Sequence, residues 1–307
     1  MCGIFGIVST NNYLISNKDL PKVVNNLFSF SQTRGSEAAG IALNNTKFIE
    51  IFKKACSPKL FIKSDIYKST LNNSLDYFAK QIIEENENRG ECFSLIGHAR
   101  LVTNGSQSQD QNNQPVAVPG ITLVHNGIIT NEDEIILNNK DIKKESNLDS
   151  ELLAKLFIKN NHLKNDIKKA ITTTFSSIKG SASIAAFTDE YPYLLLATNT
   201  GSLFYFYDEE IGLFIFASER FILDKLYKKS KELNTLKNFK IKQIIANNAI
   251  LINLQNFGIN YFNFKDNIRS HFVNEKRLKP LVLKDKTKYQ NNIKRCSKCI
   301  LPVNYPY

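Results

Sequence analysis

The amino-acid sequence predicts an α+β domain built as a layered α/β/β/α sandwich. Two observations predict it: short apolar runs typical of strands recur along most of the chain, and longer amphipathic runs with helical spacing fall between them. The 307 residues are 42% hydrophobic and 22% charged, enough apolar material to bury a full core. No internal repeat or low-complexity block interrupts the pattern, so we expect one large domain with a tail.

The predicted elements follow from these runs in chain order. The first strand alternates glycines with large apolar residues, and glycine inside a strand indicates close approach of another backbone or of a substrate. A strand of small residues at 180–187 is expected to pack near it. Strands are predicted at 2–8, 39–44, 48–53, 93–97, 121–125, 182–187, 193–198, 203–207, 212–217 and 248–254, and helices near 19–31, 64–85, 149–159 and 163–176.

Composition argues against several classes of protein. No apolar run approaches the ~20 residues of a membrane-spanning helix, and Met1-Cys2-Gly3 leaves no room for a basic signal region, so we expect a cytoplasmic protein without a membrane partner. The net charge is +11, but the basic residues of the last third lack interleaved aromatics and any nucleic-acid motif. We interpret them as solvated surface and expect no nucleic-acid partner. The five cysteines form no even framework, which indicates reduced thiols.

Cys2 directly follows Met1 and is the first candidate for chemistry. If Met1 is removed, Cys2 carries a thiol and a free α-amine on one residue. An α-amine titrates near pKa ~7.7–8.0 and a thiol near ~8.5, so the amine can accept the thiol proton at neutral pH. The pattern therefore indicates either a nucleophile with its own base or a small buried residue that begins a strand.

Three further clusters combine charged or amide side chains with small residues. Residues 33–41 are too glycine-rich for a helix interior and suit a pocket wall. Residues 97–105 place Arg100 after a short apolar strand, where a guanidinium can bind a carboxylate through two hydrogen bonds. The third cluster holds Asn126 and Gly127, whose side-chain amide and backbone N–H are suited to stabilising an oxyanion.

Six motifs in this order resemble the class II glutamine amidotransferase domain, an N-terminal nucleophile hydrolase. This domain is the glutaminase half of glucosamine-6-phosphate synthase, amidophosphoribosyltransferase and glutamine-dependent asparagine synthetase. The resemblance covers about the first half of the chain and continues to Phe216-Ala217-Ser218-Glu219. The motifs are Cys2-Gly-Ile-Phe-Gly, Arg34-Gly-Ser-Glu-Ala-Ala-Gly, Gly97-His-Ala-Arg-Leu-Val-Thr-Asn-Gly, Gln114-Pro115, His125-Asn-Gly-Ile-Ile and Asp149-Ser-Glu. It implies a four-layer α/β/β/α sandwich of antiparallel sheets and no cofactor.

The resemblance assigns roles to the motif residues. Cys2 would attack the side-chain amide of L-glutamine, release ammonia and carry a γ-glutamyl thioester. Asn126 and Gly127 would stabilise the tetrahedral oxyanion, each donor lowering the barrier by on the order of 3 kcal/mol. Arg100 would bind the α-carboxylate of glutamine, and Asp149 would bind its α-ammonium group.

Other residues are expected around this centre. Thr103 and Asn104 would complete the glutamine pocket, and Arg34 and His98 would support it from behind. His125 is interpreted as a packed residue. The resemblance implies no metal.

Several of these residues have simpler interpretations. Asn126-Gly127 in isolation has the sequence of a type I′ hairpin turn. Arg100 could form a surface salt bridge. Asp149 could begin a helix, because residues 146–151 read as a helix start before an apolar stripe. The turn is compatible with the oxyanion role, and the helix start with the ammonium-binding role.

The sequence departs from the family at two motif positions. Glu37 stands where the family usually has aspartate, and Leu101 stands where sugar-phosphate synthases often have tryptophan. The chain contains no tryptophan at all. These differences argue against close kinship with glucosamine-6-phosphate synthase and leave the nucleophile and the oxyanion donors unaffected.

The expected function is hydrolysis of L-glutamine, with the ammonia supplied to an ATP-dependent synthase subunit or domain. Two alternatives remain: a catalytically silent module that binds glutamine for regulation or assembly, and an N-terminal nucleophile hydrolase acting on another amide. Arg100 with Asp149 favours an amino-acid substrate. Cys2 with Asn126 and Gly127 favours an active enzyme.

A change in composition near residue 266 divides the predicted amidotransferase domain, 2–265, from a basic tail, 266–307. Near its end, Cys296 and Cys299 form a Cys-x-x-Cys pair, which fits half of a zinc site, a redox pair or chance. The surrounding Arg-Cys-x-x-Cys-Ile-Leu-Pro resembles the opening of ATP-pyrophosphatase-type sugar amidotransferases of surface-polysaccharide pathways. The tail is therefore predicted to be a linker to, or remnant of, a synthase domain.

Overall fold

The computed structural model describes residues 2–10, 19–84, 91–101, 109–164, 166–234, 236, 239–265 and 281–287. The strands are β1 (Gly3–Thr10), β2 (Ala38–Asn44), β3 (Phe48–Lys54), β4 (Cys92–Arg100), β5 (Val116–Val118), β6 (Ile121–Ile129), β7 (Gly180–Thr188), β8 (Tyr193–Thr198), β9 (Leu203–Asp208), β10 (Leu213–Ala217), β11 (Lys242–Ile244), β12 (Asn248–Asn253), β13 (Ile259–Asn263) and β14 (Val282–Asp285). The helices are α1 (Leu20–Ser31), α2 (Pro58–Phe61), α3 (Asp65–Glu84), α4 (Glu132–Asn138), α5 (Asp149–Lys164), α6 (Ile167–Ser177), α7 (Arg220–Lys229) and α8 (Lys231–Asn234).

Within these residues the strands form two sheets that pack face to face. Sheet A has the order β11-β9-β10-β1-β4-β2-β3-β14, and sheet B has the order β13-β12-β8-β7-β6-β5. Neighbouring strands are antiparallel, except that β14 runs parallel to β3. Helices α1, α3 and α7 cover the outer face of sheet A, and α5 and α6 cover sheet B. The predicted four-layer α/β/β/α sandwich is confirmed.

The alternation of a strand divides the residues of β1 between two cores. Phe5 and Ile7 pack under the helices of sheet A, whereas Ile4 and Val8 face sheet B. Gly6 accounts for the close packing predicted here, because a Cβ at this position would lie 2.3 Å from the ring of Phe216. The close neighbour is therefore another strand of the same sheet and not a substrate.

Helix α1 shows how the sequence fixes a layer. Val23, Val24, Leu27 and Phe28 recur at helical spacing and are fully buried against sheet A. Each buried side chain of this size contributes roughly 1.5–3 kcal/mol of transfer free energy. This burial fixes the chain that follows α1 and carries Arg34.

The described residues contain elements beyond the ten strands and four helices that the sequence predicts. The additional ones are the short strands β5, β11, β13 and β14 and the helices α2, α4, α7 and α8. Strand β14 lies inside the predicted tail and pairs with β3, and Thr287 accepts a hydrogen bond from the backbone of Lys53 at 3.2 Å. The boundary at residue 265 stays a prediction. Of the described helices, none is both long and apolar enough to cross a membrane.

Candidate active site

Cys2 lies immediately before β1, the strand held between β4 and β10. The backbone N–H of Ile4 donates to the Ser218 hydroxyl at 3.2 Å, and the Ser218 N–H donates to the Ile4 carbonyl at 2.8 Å. The Cys2 thiol is directed at the carbonyl oxygen of Leu101, with Sγ 3.6 Å from it. The start of β1 is thus held between β4 and β10 and hydrogen-bonded to Ser218, which places the Cys2 thiol at one end of the sandwich.

The surroundings of Cys2 keep the thiol protonated. Burial raises the pKa of Cys2 above its ordinary value, and the Leu101 carbonyl and the positive charge of Arg100 only partly oppose this shift. At neutral pH the sulfur therefore carries its proton, and a base must remove it during any nucleophilic attack. Asp149 is close enough to raise the pKa further. The structure thus brings Cys2, Arg100 and Asp149 into one electrostatic environment.

Asn126 occupies the face of β6 that looks toward β1 and β4. Its neighbour two residues back, Val124, belongs to the core between the sheets, so alternation points the Asn126 side chain the same way. The side chain is 4% exposed, and among the described residues its Oδ1 has no hydrogen-bond partner. The Asn126 amide therefore lies between the two sheets, with an acceptor oxygen that no described residue uses.

The Gly127 N–H points to the edge of β6 away from β7. The N–H groups of His125 and Ile129 donate to the side chains of Gln114 and Asp149, at 2.6 and 3.0 Å, on that edge. Because alternate N–H groups of a strand point the same way, the Gly127 N–H lies between these two.

The turn interpretation of Asn126-Gly127 is wrong, since the pair lies within β6 and β7 continues alongside it. Glycine is required at 127 for a steric reason. A Cβ there would lie 2.0 Å from the Ser181 carbonyl and 2.7 Å from the His125 ring. The strand therefore presents an amide and an N–H next to each other without a turn.

Arg100 ends β4 and is 3% exposed, so the surface salt-bridge interpretation is wrong. Its Nη1 donates to Oδ1 of Asn113 at 2.8 Å. A guanidinium has five N–H donors, and the contact with Asn113 uses one of them. Burial lowers the pKa of Arg100, and the nearby Cys2 and Glu37 partly oppose the shift.

Asp149 is the first residue of α5, so the helix-start interpretation is confirmed. Its Oδ1 lies 3.6 Å from Nδ1 of His125 and accepts from the Ser150 hydroxyl at 3.3 Å. Burial by itself would raise the pKa of Asp149, but hydrogen bonds from His125, the Ile129 N–H and Ser150 outweigh it and lower the pKa. Asp149 is therefore an anion at neutral pH, and its side chain is 13% exposed.

Arg34 and His98 lie beside this centre. Arg34 lies in the loop after α1, and its Nη2 is 3.1 Å from Oε1 of Glu219, the residue before α7. His98 is fully buried on β4. Burial, followed by the charge of Arg100, lowers the pKa of His98 to about 3, so its ring is neutral. The supporting roles of Arg34 and His98 stay predictions.

Four residues named in the sequence analysis lie outside the described residues: Thr103, Asn104, Cys296 and Cys299. In the described part of the chain, no group of three or more His, Cys, Asp or Glu side chains is arranged to hold a metal ion.

An open cavity lies next to the carbonyl that contacts the thiol. Its volume is about 220 Å³, and it is lined by Gln32, Thr33, Arg34, Gly35, Ser36 and Leu101. The arginine-containing loop therefore forms a pocket wall, as the residue types of 33–41 predict.

Sequence reasoning missed the residues that hold the site together. Asn113 contacts Arg100, Gln114 contacts His125 and Ser150, and Ser218 contacts Ile4. Gln114 belongs to the motif Gln114-Pro115, for which the sequence analysis predicted no role. His125, read as a packed residue, is buried and also contacts Asp149.

Comparison with known proteins adds to this geometry. Residues 98–225 match the model of the family described as glutamine amidotransferase domain. The amidophosphoribosyltransferase of Methanocaldococcus jannaschii is 31% identical over 191 residues, covering 60% of this chain and 35% of that protein. The glutamine–fructose-6-phosphate aminotransferase (isomerizing) of Saccharomyces cerevisiae is 29% identical over 218 residues, covering 66% of this chain and 28% of that protein. The chain thus matches about a third of each relative's length.

A solved structure supports the fold. The glutamine phosphoribosylpyrophosphate amidotransferase of B. subtilis, complexed with ADP and GMP, superposes with a TM-score of 0.59 at 19% identity over 87% of this chain and 50% of that one. The sheet order and the position of Cys2 at the end of the sandwich are consistent with the family match at 98–225. Residues 98–225 of the chain thus match the glutamine amidotransferase domain family, and the described residues have the N-terminal nucleophile hydrolase fold.

Proposed function

We propose that this chain hydrolyses L-glutamine to glutamate and ammonia through a thioester on Cys2. The observation that carries the proposal is the grouping of a protonated thiol with a buried cation, Arg100, and an accessible anion, Asp149. An α-amino acid presents one charge of each sign on a single carbon. A site with both counter-charges next to a nucleophile therefore suits an amino acid with a reactive side chain.

The chemistry follows from the groups in place. After removal of Met1, the α-amine of Cys2 takes the thiol proton while sulfur attacks the amide carbon of glutamine. The carbon–nitrogen bond then breaks, and the amine returns the proton to the departing ammonia. A water molecule, activated by the same amine, cleaves the thioester and releases glutamate.

Asn126 and Gly127 act on the charge that forms during attack. The side-chain amide of Asn126 and the N–H of Gly127 would donate to the oxygen that becomes negative in each tetrahedral intermediate. In this role Nδ2 of Asn126 is the donor, and the support comes from the position of the side chain on the face of β6 that looks toward β1 and β4. Both donors are preorganised by β6.

The ammonia is proposed to pass to an ATP-dependent synthase that lies on another domain or subunit. The matched region covers only 35% and 28% of the two relatives, which leaves most of each for other steps. The Cys296-Cys299 segment, with its likeness to sugar amidotransferases, favours an acceptor in surface-sugar synthesis. A free thiol nucleophile is stable in a reducing compartment, so we place the reaction in the cytoplasm.

Purified protein is expected to release glutamate from glutamine only when its first residue is Cys2, because an extended α-amine cannot act as the base. Intact mass and glutamate release, measured on the same preparation, test this directly. A matched sample that keeps Met1, made by co-expression with a methionine-aminopeptidase inhibitor, serves as the control. Full activity in protein that retains Met1 would rule out the mechanism, and no activity with Cys2 exposed would argue for a silent module.

Arg100→Ala and Asp149→Ala are each expected to raise the KM for glutamine with a smaller change in kcat. Both residues contact charges that are already present in the ground state. A lost charge-assisted hydrogen bond costs about 1.5–3 kcal/mol, which corresponds to a rise of roughly 10- to 100-fold. Steady-state kinetics measure the effect, with Lys59→Ala as a surface control. A loss confined to kcat would contradict the assignment.

A further inference from the structure

The segment Asn112–Gln114 is buried, yet the mechanism above gives it no role. Asn112 ends a short 3₁₀ turn, and its side chain, like those of Asn113 and Gln114, is at most 6% exposed. Buried amide side chains are costly unless they are hydrogen-bonded. Each of these three is bonded to a different part of the site, and we call the segment the amide bracket.

The first contact of the amide bracket is with the cation, Arg100. Oδ1 of Asn113 accepts from Nη1 of Arg100 at 2.8 Å. The backbone of the bracket is itself fixed, because Nζ of Lys53 donates to the carbonyls of Asn113 and Pro115 at 2.7 and 3.1 Å. The Asn113 amide is neutral, so it orients the guanidinium without neutralising its charge.

The second set of contacts joins the amide bracket to His125 and Ser150, the residues that lie against Asp149. Gln114 exchanges two hydrogen bonds with the backbone of His125, at 2.6 and 3.1 Å, and its Nε2 also donates to the Ser150 hydroxyl at 3.1 Å. Ser150 in turn donates to Asp149 at 3.3 Å. The side chain of Gln114 therefore links β6 to the first turn of α5.

The hydrogen-bond inventory fixes the direction of this link. A carboxylate only accepts, so the single Ser150 proton goes to Asp149. Ser150 then accepts from Gln114 and, on its remaining lone pair, from Nδ1 of His125, which lies 3.1 Å away. His125 is thereby held as a donor toward Ser150 and Asp149. Asn112 adds a further restraint, accepting the Asn147 N–H at 3.1 Å in the loop that leads into α5.

We propose that the amide bracket sets the separation of Arg100 and Asp149 and so selects a substrate that carries a carboxylate and an ammonium on one carbon. The inference rests on the proposed function and identifies Asn113 and Gln114 as positioning residues of that same site. An arginine side chain has many rotamers, and fixing its geometry before binding removes part of the entropic cost of ordering it. Because one short segment contacts both walls, the two charges cannot move apart independently.

The experiment measures how three ligands protect Cys2 from alkylation by iodoacetamide. L-Glutamate carries both charged groups on its α-carbon, glutarate lacks the ammonium, and 4-aminobutyrate lacks the α-carboxylate. The variants are Asn113→Ala and Gln114→Leu. The matched controls are Asn139→Ala and Gln243→Ala, each of which removes an amide that bonds to a main-chain carbonyl outside the site.

The proposal predicts a crossed pattern. Asn113→Ala should raise the protecting concentrations of L-glutamate and glutarate about 10-fold, equivalent to about 1.4 kcal/mol, and leave that of 4-aminobutyrate unchanged. Gln114→Leu should weaken L-glutamate and 4-aminobutyrate and spare glutarate. In both variants KM for glutamine should rise while kcat stays within about twofold. The isosteric Asn113→Asp should raise KM further, because its carboxylate competes for Arg100.

Different results distinguish a failure of the amide-bracket proposal from a failure of the proposed function. Equal weakening of all three ligands, or a fall in kcat with KM unchanged, would overturn the bracket and leave a general packing role. Improved binding in Asn113→Asp would also overturn it. Absence of glutamine hydrolysis by the wild-type protein with Cys2 exposed would instead remove the proposed function.

Discussion

Replacing Cys2 by alanine is expected to abolish glutamine hydrolysis and leave the fold unchanged. In the proposed mechanism the thiol forms the covalent intermediate, and removing a nucleophile from a comparable site costs about 10⁶-fold in kcat. The fold should be unaffected because Cys2 precedes β1 and its side chain is only partly buried. Glutamate release and the thermal unfolding midpoint, measured together, test both halves of the expectation.

The other described cysteines are internal controls for this variant. Burial raises the pKa of Cys92 to about 12 and also raises that of Cys56, as it does that of Cys2. The position of Cys2 beside Arg100 and Asp149 is therefore what distinguishes it. Cys92→Ala should lower stability, because the side chain is fully buried, while activity persists. A glutamine-like electrophile such as diazo-oxo-norleucine should label Cys2 alone. Label on another cysteine, or wild-type turnover in Cys2→Ala, would contradict the assignment.

Asn126→Ala is expected to lower kcat by about 10²- to 10³-fold and to change KM little, because its amide stabilises charge that develops only in the transition state. No described residue hydrogen-bonds to Oδ1 of Asn126, so the substitution breaks no contact to that atom, and the thermal unfolding midpoint of Asn126→Ala should be measured beside its kinetics. Steady-state kinetics beside Asn139→Ala provide the comparison. A rise in KM with unchanged kcat would assign Asn126 to ground-state binding instead.

Gly127 does not allow an equally clean test. Its contribution comes from a backbone N–H, and any Cβ at this position would collide with the Ser181 carbonyl. A substitution there would disturb the pairing of β6 with β7 before it reported on the oxyanion. Asn126 is therefore the donor whose removal separates catalysis from folding.

The sequence predicts the central strands well because each buries apolar residues in a clear pattern. Strand β6 shows where such patterns stop being sufficient: the predicted strand ends at residue 125, whereas the structural one ends at Ile129. Local preference favours a turn at Asn126-Gly127. The pairing with β7 overrides that preference, since it supplies partners for the extended backbone through Ile129.

Short edge strands could not be predicted from local patterns. Strand β11 is three residues long with two exposed side chains, and all but the last residue of β14 are exposed. Neither contains enough apolar alternation to identify a strand, and their positions depend on β9 and β3, which are distant in sequence. Helix α7 differs, because Ile222, Leu223 and Leu226 have helical spacing that could have been recognised.

The residues of the candidate site also fall into two groups, one predicted from local sequence and one that depends on the folded chain. The residues proposed to act on the substrate belong to short motifs with distinctive chemistry, so the sequence alone is enough to propose them. The residues that orient them, such as Asn113 and Ser150, are ordinary polar residues whose partners are known only once the chain is folded. No periodicity marks them, because their hydrogen bonds join parts of the chain that are not adjacent in sequence.

The central position of β1 has a consequence for the order of events during synthesis. One neighbour of β1 is β10, and the hydrogen bond between Ile4 and Ser218 joins residues 214 positions apart. On the ribosome, the first residues emerge long before that partner exists, so they remain an open chain end while translation continues. Enzymes that trim methionine act on such ends. For the proposed mechanism, which requires Met1 to be removed, this topology leaves time for that removal before the thiol is enclosed.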